Sequence, residues 1–324
     1  MSHHAAHVLV TGAHGFVGKA LVARLLQAHL AGTRPLSALT LMDTAFEAPP
    51  SHAVVQHITG SIADAATVAL AFETPVDVVY HLASIPGGMA EQHHELARDV
   101  NLFGTLHLLE AARTQRLRGG VVSRFVFASS VAVYGPPFPS QVDDGSPLLP
   151  KMSYGAQKLM GEIAVADFSR RGWIDGVSLR LPGVLARPPA KTGQLSAFLS
   201  DIIGELAAGR EFTCPTSASA TTWASSIHNV VDNLLHAADV DSALLPTARA
   251  LALPTQWFTM GALVEAIAAV HGPQVLKRVH WAPDERIESL FGRLPPILTP
   301  AAEHAGFRHD GDLPTLVRGS LMSH

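Results

Sequence analysis

Apolar positions in this chain alternate between short unbroken runs and helical stripes. His7 to Val10 forms the first run, glycines follow at 12, 15 and 18, and Val17, Leu21, Leu25 and Leu26 then recur at helical spacing. That order predicts strand, tight turn and helix. Leu39 to Asp43, Val54 to Ile58, Val76 to Ser84, Arg124 to Gly135 and Val177 to Leu185 read as five further strands. Glu91 to Arg113 keeps a stripe through Leu96, Val100, Leu106, Leu108 and Leu109 and predicts one long helix, and a second long helix begins at Ser153. Beyond Leu185 the alternation weakens. Pro188-Pro189, Gly193 and the Thr/Ser/Ala run from Thr213 to Ser226 predict loops, with helices near 194–208, 228–238 and 259–271.

The glycine stretch carries chemistry. Gly12 permits the turn, Gly15 lets backbone N–H groups approach a pyrophosphate, and Gly18 lets the helix pack closely on the strand. With Phe16 and Val17 at the helix start, this predicts a dinucleotide site on a Rossmann-type sheet. Asp43 ends the second strand about two dozen residues further on, where a carboxylate accepts hydrogen bonds from ribose hydroxyls and repels a 2′-phosphate. No arginine follows it immediately, so NAD is expected over NADP. Asp64, in the polar turn after the third strand, reads either as a contact to the adenine edge or as an ordinary acid at a helix start. The fourth strand runs into Leu82, Ala83 and Ser84, where small residues let a flat cofactor lie across the strand end. Asn101, inside the long helix, is expected to support the site from below, and Pro182 after the sixth strand completes the cofactor contacts.

Length and charge narrow the picture. A chain of 324 residues accommodates an α/β, doubly wound parallel sheet over 1–185 and a smaller mixed carboxyl-terminal substrate lobe over 186–324, with late segments free to return to the first unit. The net charge of −4, without clustered Lys or Arg interleaved with aromatics, argues against a nucleic-acid partner and for a small-molecule substrate. Cys214 is the single cysteine, so no internal disulfide is expected. No run approaches the ~18 apolar residues that cross a bilayer, and no basic start leads into an apolar leader. These features predict a cytoplasmic protein without membrane association. Eighteen histidines show no ordered set with Asp, Glu or Cys at ligand spacing, so no metal site is expected.

Tyr154 and Lys158 stand at i, i+4 and project from one helical face. A phenol with a pKa near ~10 is a poor base at neutral pH, and an adjacent ammonium group favours its phenolate. A nearby serine can hold the substrate oxygen while the tyrosine moves its proton.

Thr11-Gly-x-x-Gly-x-x-Gly18, Asp43, Asp64, His81 to Ser84, Asn101, Ser129-Ser130, Val133 to Gly135 and Tyr154-x-x-x-Lys158, taken in this order, resemble the extended short-chain dehydrogenase/reductase family of epimerases and dehydratases. The resemblance implies that Tyr154 is the acid/base, that Lys158 lowers its pKa and holds the nicotinamide ribose, and that Ser130 binds the reacting oxygen. It also implies that the helices at 91–113 and 153–171 pair with their copies in a homodimer. Within the family, Tyr154 to Lys158, Asp167 to Gly172, Asp175 to Pro182 and Trp223 to Ser226 look most like the D-erythronate dehydrogenase branch, which oxidises a four-carbon sugar acid with NAD.

Two functional readings stay open: a dehydrogenase of a small hydroxy acid, and an epimerase or dehydratase of a nucleotide-linked sugar that retains its NAD. A diphosphate demands a cationic groove, and Arg187, Lys191 and Arg210 are a thin supply, which favours the dehydrogenase. A non-catalytic NAD sensor is disfavoured because Ser130, Tyr154 and Lys158 are all present. For an acid substrate, Arg187 is the expected carboxylate partner, with Ser84, Trp223 and Ser225 as hydroxyl contacts and pocket wall.

Overall fold

Strands that are apolar on both sides must be covered on both sides, and β5 (Arg124–Ser130) is buried along six of its seven residues. The computed structural model describes residues 5–185 and 197–321. In chain order, β1 (Ala6–Thr11), α1 (Phe16–Leu30), β2 (Leu36–Asp43), β3 (Val55–Thr59), α2 (Ala65–Leu70) and β4 (Val78–His81) lead into α3 (Gly87–Gln92) and α4 (His94–Ala97). A π-helical segment (Arg98–Gly104), α5 (Thr105–Leu117), β5, α6 (Ser153–Arg170), β6 (Asp175–Leu181) and β7 (Gly183–Val184) follow. Next come α7 (Phe198–Ala207), β8 (Phe212–Cys214), β9 (Thr221–Ser225), α8 (Ile227–Asp239), β10 (Ala250–Ala252) and β11 (Gln256–Thr259). The chain continues through α9 (Met260–His271), β12 (Val279–Trp281), α10 (Glu285–Phe291), α11 (Pro300–His304) and α12 (Leu313–Leu321), with short 3-10 turns at Val131–Val133, Ser242–Leu244 and Pro273–Lys277.

The central sheet has seven strands in the order β10-β6-β5-β4-β1-β2-β3, with every pair parallel. This is the doubly wound order, and its direction reverses between β1 and β4. Leu21 and Leu25 of α1, Val230 and Leu234 of α8, and Phe307 cover one face. Val68 of α2, Leu108 and Leu109 of α5, and Val165 and Phe168 of α6 cover the other. A second core gathers α7, α9 and α12 around Ile202, Ile203, Leu263, Ile267 and Leu316. Two small sheets, β11-β9-β7 and β12-β8, accompany it. No helix among the described residues is long and apolar enough to cross a membrane.

The structure departs from the periodicity in three places. The seventh strand, β10, comes from late in the chain and pairs with β6, and α8 packs on α1. Arg124 ties α8 to the sheet by donating to the carbonyls of Ala237 (2.8 Å) and Val240 (3.2 Å). The long helix expected over 91–113 is broken: His93 adopts φ −127°, ψ 62°, and the chain resumes as α4, the π-helical segment and α5. The run from Thr213 to Ser226, read as loop, holds the last two residues of β8 and all of β9; strands this short show no apolar period.

Candidate active site

The reversal between β1 and β4 opens a crevice at the carboxyl ends of the strands, and the expected cofactor residues lie along that edge. Gly12 has φ +68°, and a Cβ there would stand 2.7 Å from the Ala83 nitrogen, so the turn after β1 is pressed against the loop after β4. A side chain at Gly18 would run into the Gly12 carbonyl. Gly15 is the N-cap of α1 and makes no side-chain cap bond, which places the positive end of the helix at the strand ends. Phe16 and Val17 open α1 half-buried, Leu82 and Ala83 are half-buried after β4, and Pro182 is buried after β6. The Asp43 carboxylate is held on both oxygens, by the His14 N–H (2.8 Å) and the Thr44 N–H (2.8 Å). A helix start with a glycine N-cap, a cradle that excludes side chains and a fixed carboxylate at the second strand end together suit a dinucleotide. Asp64 caps α2, accepting from Ala66 N (3.0 Å), Thr67 N (3.3 Å) and Thr67 Oγ1 (2.6 Å). The Thr67 hydroxyl and then the Ala66 N–H hold its carboxyl below the usual range. Its contacts are those of the ordinary helix-start acid.

At the other end of the crevice, Ser130 closes β5 while Tyr154 and Lys158 occupy the first turns of α6. The Ser130 Oγ accepts from Ala132 N (3.1 Å). Tyr154 is half-buried. Lys158 is 1% exposed, and its Nζ donates to the Ala128 carbonyl (2.7 Å) and lies 5.6 Å from the centre of the Tyr154 ring. Burial pushes the Lys158 ammonium down to about 7, although Glu162 pulls the other way.

This depression has a measurable consequence in the unliganded protein. Between about 7 in the fold and ~10.4 in the unfolded chain, the unfolded state binds more protons at this position, so the contribution of Lys158 to stability increases as pH rises through that window. It is lost as pH falls towards 7. Thermal midpoints recorded across the window should therefore rise more steeply in the parent protein than in Lys158→Met. Parallel curves would refute a depressed Lys158.

Sequence spacing did not reveal the buried groups around this centre. Glu162, one turn after Lys158, accepts from Ser129 Oγ (2.5 Å) and forms a fork with Arg180 of β6 at 3.0 and 2.8 Å. Arg180 also donates to the Tyr134 hydroxyl (2.8 Å). The available signals were the i+4 step from Lys158 to Glu162 and an arginine inside an apolar strand. Asn101 lies in the π-helical segment, where the wider turn aims it inward: its Nδ2 donates to Gln157 Oε1 (2.7 Å) and Ile85 O (3.0 Å), and its Oδ1 accepts from Ile85 N (2.7 Å).

The expected substrate residues fare differently. Ser84 is half-buried just after β4. Arg187 lies outside the described residues, as does Lys191. Trp223 and Ser225 require correction: both are buried on β9 rather than displayed on a loop. The Trp223 indole donates to the Pro295 carbonyl (2.6 Å) and packs edge-on against Tyr134 and Phe138, while Ser225 donates to Thr255 (3.2 Å). Cross-strand pairing with β7 and β11 draws these side chains into the interior.

Residues 8–245 match the model of the NAD dependent epimerase/dehydratase family. The chain is 35% identical over 325 residues to D-erythronate dehydrogenase of Cupriavidus necator, covering 97% of this chain and 98% of that protein. It is 29% identical over 313 residues to D-erythronate dehydrogenase of Haemophilus influenzae, covering 96% and 97%. Among solved structures, it resembles a nucleoside-diphosphate-sugar epimerase from Agrobacterium tumefaciens, with a TM-score of 0.90, 31% identity and coverage of 97% and 92%.

Proposed function

The chain belongs to the NAD-dependent epimerase/dehydratase family, and from that premise we propose that it oxidises a small hydroxy or sugar acid, D-erythronate or a close analogue, with NAD. The observation that carries this reading is the likeness to D-erythronate dehydrogenase at 35% identity over 97% of the chain. The buried Lys158 beside Tyr154 supplies a matching chemistry. NAD, when bound, supplies the hydride acceptor. The glycine turn and the start of α1 would hold its pyrophosphate, Asp43 its adenosine ribose, and Lys158 its nicotinamide ribose. Phe16, Val17, Leu82, Ala83, Asn101 and Pro182 would line or support that site, with Asp64 near the adenine.

In the oxidative direction, Ser130 holds the substrate hydroxyl and Tyr154 accepts its proton as the carbonyl forms. The ammonium of Lys158 stabilises the phenolate. Ser84 and Arg187 would contact the substrate, Arg187 through a two-pronged bond to its carboxylate.

The likeness to the Agrobacterium epimerase favours a second reading, transformation of a nucleotide sugar. Arg210, one of the few cations available to a diphosphate, is instead engaged by Glu205 at 2.5 and 2.9 Å. Incubation with NAD and D-erythronate should yield stoichiometric NADH and oxidised acid. Absence of NADH with any small hydroxy acid, together with isomer formation from a nucleotide sugar, would overturn the dehydrogenase reading.

Because Asp43 stands where a 2′-phosphate would be repelled, NAD should bind more tightly than NADP, and Asp43→Ala should narrow the gap. Calorimetric titration of both cofactors checks this, and equal binding by the parent protein would refute it.

The assembly we infer is a cytoplasmic homodimer. Leu96 of α4, Phe103 of the π-helical segment and Met160 and Ile163 of α6 are exposed, Ile163 by 64%, and α6 packs against the π-helical segment. A patch of this kind marks an association surface. Light scattering should give twice the chain mass, and Ile163→Glu should shift it to the monomer. A parent protein that is already monomeric would contradict the assignment.

A further inference from the structure

His81 ends β4 with no exposed surface, and its two ring nitrogens meet two threonine hydroxyls, Thr11 Oγ1 at Nδ1 and Thr105 Oγ1 at Nε2, both at 2.8 Å. A hydroxyl has one hydrogen to donate. Thr105 donates it to the Asn101 carbonyl (2.7 Å), so towards His81 it is an acceptor and the imidazole hydrogen sits on Nε2. Nδ1 is then an acceptor, and the Thr11 hydroxyl donates to it while accepting the Ala83 N–H (3.3 Å). The bonds therefore run one way, from Ala83 through Thr11, His81 and Thr105 to Asn101.

The two ends of this chain reach the two halves of the site. Thr11 immediately precedes the Gly12 turn, and Asn101 donates to Gln157, the residue before Lys158. Between them, the loop after β4 is held at Ala83 N by Thr11 and at Ile85 N by Asn101. Phe127 stacks on the His81 ring at 5.3 Å, and the Lys158 Nζ lies 4.8 Å from the same Phe127 ring. Burial, with Lys158 nearby, keeps the His81 pKa well below its ordinary value, consistent with a permanently neutral ring.

We propose that His81 is a positioning residue that sets the nucleotide turn and the catalytic helix relative to each other, through an imidazole that donates on one side and accepts on the other. The inference rests on the NAD-dependent reading above. It assigns the two nitrogens separable tasks: Nδ1 holds the cofactor side through Thr11, and Nε2 holds the Tyr154–Lys158 side through Thr105, Asn101 and Gln157.

Two amide replacements separate these tasks. The amide oxygen of His81→Asn reaches roughly where Nδ1 stands and restores only the Thr11 arm. The amide nitrogen of His81→Gln reaches roughly where Nε2 stands and restores only the Thr105 arm. His81→Gln should raise the KM for NAD by ~10-fold with kcat nearly unchanged, and His81→Asn should lower kcat by ~10-fold with that KM nearly unchanged, the scale of one orphaned buried hydrogen bond. Thr11→Val should repeat the first pattern and Thr105→Val the second, which keeps the test decisive if the His81 variants fold poorly. A merely structural role would move both constants together, and that outcome, or no change in either, overturns the proposal. Side-chain 15N shifts of the parent protein supply a readout independent of turnover: a protonated Nε2 and bare Nδ1 are expected, and the reverse tautomer overturns the chain. NAD binding and NADH formation by the parent protein are measured first. Failure there rejects the functional reading, whereas a normal parent whose variants do not split rejects only the role of His81.

Discussion

Tyr154→Phe is expected to lower turnover by ~10²-fold or more, the scale of lost acid–base catalysis, while NAD affinity stays nearly unchanged. The substitution keeps the ring beside Lys158 and removes only the hydroxyl oxygen to which the proposed mechanism gives the proton. Under the proposed mechanism the substrate hydroxyl then loses the group that accepts its proton. Lys158→Ala should damage both turnover and NAD binding, because one ammonium is asked to serve the phenolate and the ribose. Steady-state kinetics with calorimetric NAD titration separate the cases. Near-normal turnover in Tyr154→Phe would move the base elsewhere.

Arg180→Met is expected to cost about 3–5 kcal/mol of stability, the scale for breaking a buried ion pair by removing one partner. The Arg180 and Glu162 side chains are 9% and 3% exposed, and the substitution strips Glu162 of its fork, leaving Ser129 as its donor among the described residues. The Tyr134 hydroxyl also loses its bond. Replacing both charges, as Glu162→Met with Arg180→Met, should recover much of the loss, because no uncompensated charge is then buried. Urea unfolding of the parent and the two variants checks this. A single variant within about 1 kcal/mol of the parent would mean that the pair behaves like an exposed one.

Much of the turn, helix start and strand end that the cofactor proposal uses was legible in the chain because its determinants are local. The glycines at 12, 15 and 18 specify a turn and a helix start through their own backbone freedom, and Asp43 stands at the end of an apolar run one helix later. Tyr154 and Lys158 meet because four residues make about one helical turn. The parallel sheet was legible for a similar reason: apolar runs separated by helical stripes leave few alternatives to a doubly wound sheet. The carboxyl-terminal half was less legible. The strand containing Trp223 is five residues long, and its Thr- and Ser-rich composition hides it until it pairs.

The sequence by itself determined the elements of the amino-terminal sheet, the nucleotide turn and the Tyr154–Lys158 pair, since each depends on residues within a few positions of one another. Only the tertiary structure decided which buried polar groups meet. His81 bonds to Thr11 across 70 residues, Trp223 to Pro295 across 72, and β10 completes a sheet whose neighbouring strand, β6, ended 69 positions earlier at Leu181, with Ala250 opening the new one. A buried donor or acceptor is costly without a partner, so the fold must supply one, but no local spacing states which distant side chain that will be.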